Sequence, residues 1–131
     1  MKSIVAKILC TTVFPLLALS VGAQTVTTIA SGLNGPRGLN FGPDGALYVA
    51  EAGSGGPNGP FSCEQVPAPV GPYHGGPTAT VSRIGRNGER TTVVSGLPSA
   101  VSSLPSGDTD GASDVVFLGD NLYVLLAGGG C

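Results

Sequence analysis

A chain of 131 residues with a formal net charge of −2 and 11% charged side chains has room for one domain and carries no basic run. That balance excludes electrostatic capture of nucleic acid or of an anionic membrane surface, because the four arginines after the N-terminal segment face eight acids. Glycine (22) and proline (11) together approach the proportion seen in disordered chains, but regular apolar hairpins argue for a folded one.

In chain order, residues 1–23 have the pattern of a secretory signal peptide. Lys2 and Lys7 give the positive start, Ile8 to Leu19 the apolar run, and Val21-Gly22-Ala23 a small-residue cleavage site. The mature chain is expected to begin at Gln24, to be secreted or periplasmic, and to have no membrane attachment after cleavage. The apolar run is shorter than the ~20 residues that span a bilayer. Cys10 lies too early for a lipoprotein site and follows Leu9 rather than a small residue, so it leaves with the signal.

Val26 to Ala30 is a Thr/Val/Ile strand candidate ending in Ser31-Gly32-Leu33. The organising unit comes next, GPRGLNFGPDGALYVAEAG from Gly35 to Gly53. Two apolar strands, Gly38 to Phe41 and Ala46 to Ala52, flank a turn in which Pro43 presets φ, Asp44 bonds the backbone ahead and Gly45 accepts φ > 0. Leu47, Val49 and Glu51 share one face, and Ala46, Tyr48, Ala50 and Ala52 the other. Both are apolar enough to predict cover on both sides.

Residues 53–77 form a long Gly/Pro loop holding Cys63, Tyr73 and His74, a length usually tied to function or mobility. Thr78 to Ile84 and Arg90 to Val94 are the next strands, joined through Asn87-Gly88, the dipeptide favoured in type I′ hairpin turns. No helical apolar period follows the signal. The unit then recurs: TTIASGL at 27–33 is echoed by TTVVSGL at 91–97, and GASDVVFLGDNLYVLLAG at 111–128 repeats the hairpin, with Phe117 for Phe41 and Leu122-Tyr123-Val124 for Leu47-Tyr48-Val49. An insertion, PSAVSSLPSGDTD, separates SGL from the hairpin in the second copy. The fold class expected is all-β, a partial β-propeller of four-stranded antiparallel blades.

GPRGLNFGPDGALYVAEAG resembles the NHL repeat, with its Gly-Pro-x-Gly-apolar, Asp-Gly and Leu-Tyr-Val-Ala-Glu elements. The ordered set AEAGSGG, TVSRIGRNGE, VVSGLPS, GASDVVF and LYVLLAGGG is similar to the ScyD/ScyE family of secreted bacterial NHL-like propellers. The resemblance spans residues 24–131 and implies a six-bladed propeller of several hundred residues, of which this chain would hold the N-terminal part. In that reading residues 24–33 are an outer strand of the closing blade, 34–97 the first blade and 98–131 half of the second. Two adjacent sheets with an unburied apolar face are then expected, with Val26 to Ala30 lacking a partner in its own hairpin order.

Few residues point to chemistry. Glu51 occupies the position that is Asp or Glu in NHL-type repeats. It is either a carboxylate at the propeller mouth or, in the reading favoured, a strand-end acid bonding loop N–H groups. Asp114 opens the second inner strand as Gly38 opens the first, and Glu51 and Asp114 are the candidate ligand-binding pair at a shared channel. Asp108, Asp110 and Asp114 alternate as in calcium loops, but Gly111 comes too early and no glutamate closes the loop. A polar loop is therefore favoured over a calcium site. His74 is expected to be a solvated loop residue. Cys63 and Cys131 could pair in an oxidising compartment, but the position of Cys131 after three glycines suggests they are poorly placed to do so. The function expected is a binding or scaffolding module for an unknown ligand or protein. The alternative is a metal-dependent lactonase- or hydrolase-like propeller whose site lies mostly in further blades.

Overall fold

The computed structural model describes residues 24–57 and 61–128, and the expected signal peptide, Cys10 and Cys131 lie outside them. Among the described residues, seven strands make up the regular structure: β1 (Pro36–Phe41), β2 (Leu47–Glu51), β3 (His74–Ile84), β4 (Arg90–Val101), β5 (Thr109–Asp110), β6 (Ala112–Leu118) and β7 (Asn121–Leu126). β1 to β5 form one antiparallel sheet in sequence order, and β6 and β7 form a second. The chain is all-β, as its turn chemistry and apolar hairpins predict.

The two hairpins repeat strand for strand. Leu39, Asn40 and Phe41 pair with Val49, Tyr48 and Leu47. Val115, Val116 and Phe117 pair with Val124, Tyr123 and Leu122. One face of the first sheet, through Tyr48, Ala50, Ala79 and Val81, packs on the face of the second that carries Val115, Leu122 and Val124. The contact includes an edge-on pair of rings, Tyr48 and Phe117, with centroids 4.8 Å apart at 73°. Val49 and Ala50 are both buried although they point to opposite faces, so β2 is covered on both sides as its sequence implies.

The two turns of the first sheet share one construction. Gly45 donates to the Gly42 carbonyl and Gly88 to the Gly85 carbonyl, each at 2.9 Å, and each closing glycine has positive φ (71° and 79°). Asp44 Oδ1 accepts from the Ala46 N–H, and Asn87 Oδ1 accepts from the Glu89 N–H. The type I′ expectation at Asn87-Gly88 is corrected: Asn87 keeps a negative φ, and Gly88 alone supplies the left-handed residue that returns the chain to register.

Asp44 also accepts from Arg83 Nε at 2.7 Å and forms an ion pair with its Nη2 at 2.7 Å. The Ala46 N–H first and the Arg83 guanidinium second hold its carboxyl below the usual carboxylate range. A depressed folded-state value gives stability that is complete above the unfolded value and fades as pH falls toward the folded one. The melting temperature should therefore drop on acidification below the ordinary range of aspartate, and Asp44→Asn should flatten that part of the profile in thermal melts at stepped pH.

Three expectations change. β3 begins at His74 rather than Thr78, because Gly75 and Gly76 pair with Ala100 and Ser99 of an extended β4. β4 continues to Val101 and absorbs the first four residues of the expected insertion, Pro98 to Val101. Val26 to Ala30 is without a ladder partner, as expected, but it forms no strand either: Val26 is 93% and Ile29 65% exposed.

The loop between β2 and β3 is tied down among its described residues. Cys63 and Tyr73 exchange backbone hydrogen bonds of 3.1 and 3.0 Å. Buried Ser99 accepts from the Gly55 N–H at 2.9 Å and donates to the Ala52 carbonyl at 2.6 Å. Ser103 donates from its side chain to the Pro72 carbonyl at 2.7 Å and from its backbone to the Val70 carbonyl at 3.0 Å. The long-loop signal is therefore answered by side-chain and backbone bonds in place of a regular ladder.

Candidate functional site

Glu51 ends β2 fully buried. One Arg90 nitrogen, Nη2, donates to both its oxygens at 3.0 and 2.9 Å. The Ser82 hydroxyl donates to Oε1, and the Asn34 N–H donates to Oε2 at 2.5 Å. Arg90 Nε in turn donates to Ser82 Oγ at 3.0 Å, and Nη1 to the Gly32 carbonyl at 2.6 Å. A buried carboxylate with every oxygen matched to a donor is a structural anchor. It fastens the segment before β1 to the sheet, and it leaves Glu51 no lone pair for a ligand in a channel. The strand-end reading therefore describes Glu51, although the N–H it binds precedes β1 instead of following β2.

Asp114 lies elsewhere, exposed near the start of β6 beside Gly38 of β1, where its Oδ1 accepts from the Val115 N–H at 2.8 Å. Gly38 is required at this approach, since a Cβ there would fall on Asp114, including its backbone. Asp108 is exposed, and its carbonyl accepts from the Ser102 N–H at 2.8 Å. Among the described residues, no three His, Cys, Asp or Glu side chains gather as a metal would require. Asp108, Asp110 and Asp114 are thus close in sequence but dispersed in space, because the strand that starts at Ala112 carries Asp114 away.

Asp110 is the sequence candidate that does meet other functional groups. It lines a notch of about 310 Å³ between the two sheets, together with Arg37, Thr109, Gly111 and Ser113. The notch sits where β1 and β6 begin and β2 and β7 end, so the hairpin repeat builds it from equivalent ends. Arg37 Nη2 donates to the Thr109 carbonyl at 2.9 Å, holding the guanidinium across the gap. Sequence reasoning missed Arg37 because Pro-Arg-Gly there has no charged neighbour. Its place two residues after a positive-φ glycine (Gly35, 65°) at a strand start was the available signal.

His74 is not a loop residue: it starts β3 opposite Val101, and its side chain is half-buried. Cys63 is buried and disulfide-bonded. Its two possible partners, Cys10 and Cys131, lie outside the described residues, as does the expectation about the Cys63–Cys131 pair. Among the described residues no helix is long and apolar enough to cross a membrane. No family model, curated protein or solved structure matches the chain.

Proposed function

We propose that the chain is an exported, NHL-like propeller unit that binds a ligand or partner without transforming it, and that the notch at Arg37 and Asp110 is the point of contact. The observation that carries this reading is the convergence of Arg37, whose guanidinium crosses the gap, Asp110 and Ser113 on one cleft between repeated hairpins, the Ser113 hydroxyl itself donating to the Leu125 carbonyl at 3.1 Å. A volume of about 310 Å³ suits a small molecule or a single side chain. The full use of Glu51 by Arg90, Ser82 and Asn34 supports binding over catalysis, since the carboxylate best placed for a channel is spent inside the sheet. A cation beside an anion favours a zwitterion, whose carboxylate would face Arg37 and whose ammonium would face Asp110.

The test is a ¹H–¹⁵N NMR titration of the full chain, with L-alanine as the zwitterion and calcium chloride in a separate series. Shifts at Gly38, Asp110 to Ser113 and Ala127 on adding alanine, weakened about tenfold or more by Arg37→Ala, are the expected result. Shifts that Arg37→Ala leaves unchanged would remove the notch from the proposal. A calcium response across Asp108 to Asp114 would instead favour the metal-dependent propeller enzyme.

A further inference from the structure

We infer that the chain associates head to tail with a second copy of itself, seating the Phe41 face of one molecule on the Tyr123 face of the next. The template lies inside the molecule. Phe117 of the second hairpin meets Tyr48 of the first edge-on, and Val115 beside it packs with Ala50. The pairing registers make Phe41 the equivalent of Phe117, Leu39 of Val115, Tyr123 of Tyr48 and Leu125 of Ala50.

These four equivalents are among the residues left open. Phe41 is 68% and Leu39 57% exposed on the first hairpin, and Tyr123 is 51% and Leu125 64% exposed on the second. Each hairpin thus has one aromatic face engaged and one left open at these residues, although Val49 on the Phe41 face is covered, and the two open patches match the two halves of the contact the molecule already makes once. Exposed apolar patches of this kind mark interaction surfaces, and here the complementary surface is on the same chain. The contact is heterologous, so each molecule that joins presents a new free face, and growth ends only if the rotation closes a ring. The inference goes beyond the binding reading, and none of its four residues lines the notch.

Sedimentation equilibrium on the full chain from about 1 to 100 µM, a range that brackets an ordinary weak interface, provides the test. The average mass should rise with concentration. Phe41→Asp and Tyr123→Asp, both at exposed positions, should each raise the dissociation constant about tenfold or more while far-UV circular dichroism stays that of the parent. Mixed in equal amounts, the two variants should form a dimer and stop there, since Phe41→Asp retains an intact Tyr123 face and Tyr123→Asp an intact Phe41 face. A parent chain that stays monomeric across the range would overturn the inference and leave the open faces to a different protein. Association unaffected by either substitution, or a mixture that stays monomeric, would overturn it as well, the latter indicating a symmetric contact.

Discussion

Arg90→Ala is expected to lower the stability of the fold by about 3–5 kcal/mol, the range for removing one partner of a buried ion pair. Glu51 is fully buried, and Arg90 supplies both of its charged contacts. Without the guanidinium, the carboxylate keeps only the Ser82 hydroxyl and the Asn34 N–H. A small domain has only about 5–15 kcal/mol in total, so the melting temperature should fall by many degrees in a calorimetric scan. Hydrogen exchange at Asn34 should quicken, because the Gly32 carbonyl loses its donor in the same step. Arg90→Lys should recover only part of the loss, since one ammonium cannot reach Glu51, Ser82 and Gly32 together. A melting temperature for Arg90→Ala within a degree or two of the parent would show that water reaches Glu51.

Gly111→Ala is also expected to be damaging, for a steric reason. A Cβ at Gly111 would land on the backbone carbonyl of Ala52, which has no rotamer by which to move aside. The Gly111 carbonyl also accepts from the Ala127 N–H at 2.8 Å, so shifting residue 111 disturbs the end of β7. Forcing a methyl into such a contact costs about 1–3 kcal/mol or more. Gly96→Ala is the matched control, because nothing lies within 4 Å of its Cβ position and only its φ of 74° opposes the change. Denaturant titrations should place Gly111→Ala well below Gly96→Ala, and equal midpoints would mean that the sheets separate easily at this seam.

The parts of this fold legible in the sequence are those fixed locally. Pro43-Asp44-Gly45 names its turn, and the alternation from Ala46 to Ala52 assigns both faces of β2, because φ preferences and a period of two act within a few residues. The repeat of Phe41 at Phe117 likewise foretold two hairpins with matched registers. What was not legible depends on partners distant in the chain. The extension of β3 back to His74 rests on pairing with Ala100 and Val101, and glycines carry no side-chain pattern that reveals it. Val26 to Ala30 has strand-forming residues and no strand, since propensity alone supplies no ladder. Glu51 stands out in the sequence as an acid ending an apolar strand, but its partner Arg90 looks like an ordinary turn-flanking charge. Arg37 became part of a site only through the packing of one sheet on the other.

The anchor on Glu51 also sets an order on the chain's assembly. Arg90 lies 39 residues downstream of Glu51. As the polypeptide is made from its N-terminus, the hairpin of β1 and β2 is complete while its terminal carboxylate still has no counter-charge. Until β4 emerges, Glu51 must stay hydrated, and the first sheet cannot close over it. The bonds from Arg90 to Glu51 and to the Gly32 carbonyl can form only once β4 has emerged, so the early-made segment before β1 can be fastened to the sheet only then.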